Sequence, residues 1–410
     1  MDLSYSNSKS RRYLRWLVFG SSTYVIVRLR RLNPRRLDFI LDLKLVLVVE
    51  NLIRKKGRMR IAIISPYSRG PMRGNITTVR RIARALGEVG LEVVILPVDV
   101  MSVAEMECRL HSFAPDIIHA FHAGRCGEPA CYLAERLDVP CVITITGSDI
   151  NEPLFREHAS THRAMAMAAA IVCFDEFVAA CVARFFPDVS RRIALIPQGV
   201  VPLPVTVDAG CVIPEDAFVL FLPAALRPVK NIEFPLLALA PLAMKIDKLM
   251  LVIAGGVIDQ EYADSVRGLL DVAPFATWLG EVPYEQMGTL YARADVVLNC
   301  SHDEGMPNSL LEAMALARPV LAADIPGNHS LVHDNETGWL YSDEADFREL
   351  VTRLMGDAAL CAEVGRRARE YVQSEFSPCI EADRYIRLYT TLRTKPQLRC
   401  DHEIGGAYSK

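Results

Sequence analysis

No Cys-x-x-Cys pair occurs among the eleven cysteines of this 410-residue sequence, and Cys108, Cys126, Cys131, Cys141, Cys173, Cys181 and Cys300 are scattered through apolar segments. That spacing points to neither a zinc site nor a disulfide framework, and it fits a reducing cytosol. Long apolar runs are missing as well. Trp16 to Val27 is apolar over only 12 residues, and Leu37 to Ile53 is broken by Asp38, Asp42, Lys44 and Glu50. A membrane-spanning helix needs about 20 apolar residues, so no span is expected. Nor is there a nucleic-acid recognition motif.

Charge is distributed unevenly. The net charge is −3, yet residues 1–58 carry 14 Lys and Arg against 4 Asp and Glu, a local +10 that leaves −13 for the remainder. An acidic body repels phosphate backbones, so nucleic acid is not an expected partner. Two readings of the basic segment stay open. Arg28-Leu29-Arg30-Arg31 and Arg35-Arg36, set among apolar side chains, suit a helix lying on the inner, anionic face of a membrane. Alternatively the segment is a leader, and Met59 is the start.

With 51% hydrophobic residues the chain can bury two substantial cores. From Arg60 onward, short β-branched runs alternate with helical patterns, which predicts parallel sheets with crossover helices. Ile61–Ile64, Val93–Leu96, Ile117-Ile118, Val142–Thr144, Ile171-Val172 and Ala194–Ile196 form one strand series. Phe218–Leu222, Leu249–Ile253, Ala276–Leu279, Asp295–Leu298 and Pro319–Leu321 form a second. The connection from Val201 to Val212, with Pro202, Pro204 and Gly210, marks the boundary. The expected division is 1–58, a basic extension; 59–200, a first domain; 201–375, a second; 376–393, a last helix; and 394–410, a loose tail.

Glu304 and Glu312 are the most informative pair. Pro307 and Asn308 close the loop that holds Glu304 and start a helix, and Glu312 is expected in that helix's first turn. Both carboxylates then face one crevice beside an electropositive helix end, with the amides of Gly305 and Met306 nearby, a place for a sugar joined to a phosphate. Ser309-Leu310-Leu311-Glu312 also fits a capping box, in which Glu312 only starts the helix. Arg227 and Lys230 follow the first strand of the second series, where doubly wound folds bind ligands. Together they can neutralise a diphosphate. Gly70 to Asn75 forms the first strand-to-helix loop, whose glycines admit a phosphate, while Asn75 suits either a helix cap or a substrate contact. His119 and His122 stand at a strand end, as buried structural histidines or as cleft residues. They lack the neighbours of a metal site, so no metal is expected.

These stretches together resemble retaining glycosyltransferases of the GT-B fold, of the family 4, or glycosyl transferases group 1, type. The resemblance runs from Met59 to Leu392 and implies two Rossmann-like doubly wound domains facing a central cleft, with the last helix crossing back. The three-residue step from Arg227 to Lys230 and the Arg73-Gly74-Asn75 element are similar to a smaller group that includes the vertebrate glycosyltransferase 1 domain-containing protein 1 and a selenosugar synthase. What the resemblance implies is a nucleoside diphosphate sugar as donor substrate, no separate cofactor, and transfer with retention to an unidentified acceptor. Glu304 would hold sugar hydroxyls, Glu312 the ribose, Arg227 and Lys230 the diphosphate, and Gly74 would lie near it.

Thr144 to Glu152 corresponds to a segment in which relatives read Thr-x-His-Gly-x-Asp. Here Thr146 replaces the histidine, while Asp149 keeps its place and is expected to orient hydroxyls in catalysis. Gln198 matches a hinge-side position at the cleft floor, and Gly280 to Pro283, through Val282, the loop that receives the base. Glycines at 327 and 338 are read as turn formers. Two rival functions accompany this reading: a non-catalytic binding module docking on a membrane or partner, and an enzyme that glycosylates sulfur or selenium.

Overall fold

The computed structural model describes residues 58–68, 74–205 and 213–394. The basic N-terminal segment, with both readings of it, residues 69–73, residues 206–212 and the C-terminal tail lie outside the described residues. Among the described residues no helix is long and apolar enough to cross a membrane.

Two six-stranded parallel sheets follow one another along the chain. The first contains β1 (Arg60–Ser65), β2 (Glu92–Pro97), β3 (Ile117–Phe121), β4 (Cys141–Thr144), β5 (Ala170–Cys173) and β6 (Ile193–Leu195), in the order β2-β1-β3-β4-β5-β6. The second contains β7 (Phe218–Pro223), β8 (Leu249–Ala254), β9 (Ala276–Trp278), β10 (Val296–Asn299), β11 (Val320–Ala323) and β12 (Trp339–Tyr341), in the order β12-β11-β10-β7-β8-β9. These are the two Rossmann-like domains. β12 is absent from the sequence reading.

Helices cover both faces of each sheet, so the strands read as nearly continuous apolar runs. All five residues of β3 are buried, and Ile61, Ile63 and Ile64 of β1 are fully so. Each such side chain contributes about 1.5–3 kcal/mol of burial free energy. The last helix, Pro378–Thr394, returns to the first domain and packs against Gly74–Glu88. A buried two-pronged ion pair joins them, with Arg81 Nε and Nη2 donating to Glu381 at 3.1 and 2.9 Å. Arg393 adds a contact to Asp116 at 3.2 Å.

Strand order fixes where ligands can enter. In the first sheet the chain runs from β1 to β2 on one side and continues with β3 on the other, so a crevice opens beyond the carboxyl ends of β1 and β3. The second sheet has the equivalent reversal between β7 and β10. Open α/β sheets bind ligands at such switch points.

Candidate active site

A cavity of about 600 Å³ lies between the two domains and is lined by loops from both switch points. On the second-domain side, Lys230 comes from the loop after β7 and Glu304 from the loop after β10. A backbone bond from His302 N to Val229 O, 2.9 Å, ties these loops together. The Lys230 ammonium donates to Glu304 Oε1, which also accepts from Ser301 Oγ at 2.7 Å and from Asn299 Nδ2 at 3.3 Å. Burial alone would push this carboxyl up; the Lys230 charge and the three donors together outweigh it and hold the group below its usual range.

Arg227 lines the same cavity, and its buried Nε donates to no atom of the described residues. Such a donor costs about 1–3 kcal/mol until an acceptor meets it. Gly305 to Ser309 line the opening above, so Gly305, Met306, Pro307 and Asn308 all border the cavity. Gly327 supports this loop in a way the sequence reading missed. It sits in a turn closed by Asn328 N donating to Ile325 O at 3.0 Å, but its φ is not in the left-handed region, so the turn itself does not require glycine. A Cβ there would fall 2.1 Å from the Glu304 carbonyl oxygen, so only glycine lets the 326–329 helix press against the glutamate loop.

Glu312 lines the cavity, with an environment different from the expected one. The helix spans Asn308–Ala315 and has no acidic residue in its first turn, so Glu312 lies beyond that turn and forms no capping box. Tyr284 Oη donates to its Oε1 at 3.1 Å and Tyr291 Oη to its Oε2 at 2.8 Å. Burial pushes the carboxyl up to about 7 despite both donors and the nearby Arg81 charge. The two tyrosines are seven positions apart on the helix Tyr284–Arg293 and so share a face. That spacing was readable in the sequence but was passed over.

The first domain contributes Asn75, Thr146, His122 and Gln198 to the lining. Gly74 opens the helix Gly74–Glu88, and Asn75 sits inside it rather than capping it, its Nδ2 reaching Thr146 Oγ1 at 3.4 Å. Gln198 bridges the domains by donating to Met306 O at 2.8 Å while accepting from Thr78 Oγ1 at 2.7 Å. Gly147, at φ 105°, brings the two backbones together where a Cβ would lie 3.9 Å from Gly305 N. His122 is strained, at φ 78° and ψ 104°. Its Nδ1 accepts from Arg125 N at 3.2 Å, so the other ring nitrogen carries the proton and donates to Ser148 Oγ at 3.1 Å. Burial lowers its pKa and keeps the ring neutral.

Three expected site residues are placed elsewhere. Asp149 is fully buried, with Oδ1 accepting from Thr146 N at 2.9 Å and Oδ2 from Ala123 N at 2.9 Å. Its oxygens hold two loops in place, and it does not line the cavity. His119 is also fully buried, between Tyr389 Oη and Thr144 Oγ1, each at 2.7 Å, with its pKa pushed down by burial to about 3. It joins the last helix to the first sheet. Val282 packs in the core of the second domain and is not among the lining residues.

Comparison with known proteins agrees with this geometry. Residues 209–371 match the family model described as Glycosyl transferases group 1. Glycosyltransferase 1 domain-containing protein 1 of Xenopus tropicalis is 28% identical over 334 residues, covering 78% of this chain and 95% of that protein. Among solved structures, sucrose-phosphate synthase from Thermosynechococcus elongatus superposes with a TM-score of 0.67 at 20% identity, over 82% of this chain and 99% of the other. Anabaena HepE, in complex with UDP and glucose, gives 0.66 at 15% identity over 82% and 100%. Residues 209–371 are a glycosyl transferases group 1 domain, and the chain is a glycosyltransferase of the two-domain GT-B architecture.

Proposed function

We propose that the chain transfers a sugar from a nucleoside diphosphate sugar to an acceptor bound against the first domain, with retention of anomeric configuration. The observation that carries this reading is the meeting of Arg227, Lys230, Glu304 and Glu312 around one cavity between the switch points. HepE, which shares the fold, was solved with UDP and glucose, and that supports a nucleotide sugar as the donor.

Arg227, with its unpaired Nε, and Lys230, with two N–H groups left after Glu304, face the diphosphate. Glu304 holds the sugar hydroxyls, and its lowered pKa keeps it an acceptor. Glu312 takes the ribose. The bond between the anomeric carbon and the diphosphate oxygen breaks, its electron pair passing to the departing phosphate. Arg227 and Lys230 stabilise that charge. The acceptor atom bonds to the anomeric carbon on the same face, and its proton passes to the departing phosphate oxygen. A separate base is then unnecessary, which accords with Asp149 lying outside the cavity and His119 being buried.

Glu304→Ala and Lys230→Ala test these roles. Each should lower turnover by about 100-fold or more while circular dichroism remains native. Turnover at the wild-type rate in either variant would refute the assignment, and the anomeric configuration of the product, read by NMR, tests retention.

A further inference from the structure

We infer that Arg125 is the recognition group for an anionic acceptor, and that the molecule receiving the sugar carries a carboxylate or phosphate beside its nucleophile. The inference rests on the transferase reading above and adds the acceptor's chemical class.

Arg125 belongs to the irregular turn Ala123–Gly127 that follows β3, at the first-domain switch point and across the cavity from Lys230. Its guanidinium lies 4.8 Å from the centroid of the Phe155 ring and 5.5 Å from that of Tyr67. Both distances are in the range of cation–π attraction. The two rings hold the fork in place while leaving its N–H edge open, the arrangement suited to bidentate binding of a planar carboxylate or a phosphate. Among the described residues that line the first-domain side, Arg125 is the one cation, and no carboxylate of the described residues forms a salt bridge with it. Glu152 is the one carboxylate among the described residues lining that side, and it forms no salt bridge with Arg125.

The holder is built rather than incidental. A Cβ at Gly124 would fall 3.0 Å from Phe155 Cβ and Cδ1, so glycine is what allows Phe155 to settle over the turn. His122 packs edge-on against the same ring at 4.8 Å and accepts the Arg125 backbone N–H. Its positive φ is backbone strain, of order 1–3 kcal/mol, spent on aiming this turn at the cleft. Arg227 and Lys230 belong to the second-domain side of the cavity, where the proposed reading assigns both to the donor's diphosphate. Arg125 is therefore left for the acceptor.

The test uses the full chain loaded with whichever of UDP, GDP and ADP binds, titrated calorimetrically with glycerol, glycerate and glycerol 3-phosphate. These probes share a hydroxyl and differ in charge. Binding of glycerate, glycerol 3-phosphate or both, but not of glycerol, is expected, and the preferred member identifies carboxylate or phosphate as the source. Arg125→Gln should weaken that binding by about 10- to 100-fold, Arg125→Lys should restore part of it, and nucleotide affinity should stay unchanged in both. Equal binding of glycerol, a charge preference that survives Arg125→Gln, or no anion binding to the nucleotide-loaded protein would overturn the inference. Failure of every nucleotide to bind the wild type would instead overturn the donor assignment.

Discussion

Replacing Glu312 by Gln should change the pH dependence of stability in a direction that its surroundings determine. The wild-type carboxyl is buried, accepts from Tyr284 and Tyr291, and is pushed from 4.5 up to about 7. A pKa raised on folding means that the fold favours the protonated form. The stabilisation is fully present below about pH 4.5 and is lost as pH rises through about 7. The rise from 4.5 to about 7, at about 1.4 kcal/mol per pH unit, sets an upper bound of about 3.5 kcal/mol. Glutamine fills the same space and does not titrate. Between about pH 5 and pH 8 the unliganded wild type should therefore lose about 2–3 kcal/mol relative to Glu312→Gln, measured by urea denaturation of both proteins at each pH. Other titrating groups cancel in that difference. Parallel pH curves would show that Glu312 titrates as an ordinary carboxyl, and the account of its burial would be wrong.

Two further outcomes follow from the structure. Arg81→Ala leaves Glu381, 1% exposed, without its partner; it should cost about 3–5 kcal/mol and loosen the last helix, seen as new proteolytic cleavage between residues 376 and 394 before global unfolding. With Arg227 and Lys230 in their proposed role at the leaving diphosphate, transfer should continue in excess EDTA, and an assay showing activity only after a divalent cation is restored would contradict that division of labour.

The sheets were legible because parallel strands buried on both faces write themselves as Val, Ile and Leu runs. Lys230 and Glu304 were legible for a related reason, since each follows a strand at the ligand-binding edge. Their direct pairing needed the strand order, in which β7 and β10 are neighbours although 74 residues separate the two side chains. Asp149 takes its partners from the backbone amides of Ala123 and Thr146, which leave no residue code. His119 depends on Tyr389, 270 positions away, and no local pattern reports such a contact. Glu312 fitted a capping box by spacing alone; the tyrosines on a different helix that claim its oxygens decide otherwise. Gly327 was read as a turn glycine, yet what requires it is a close approach to the Glu304 backbone. Arg125 and its two rings come from three separate segments, so only folding brings the cation and its holders together.

The most direct test of the central claim is calorimetric titration of UDP, GDP and ADP into the wild type, Arg227→Ala and Lys230→Ala. At least one nucleoside diphosphate should bind the wild type, and each substitution should weaken it by about 10-fold or more, as expected for a charge-assisted bond to phosphate. Undiminished affinity in both variants would contradict a diphosphate held between these two side chains.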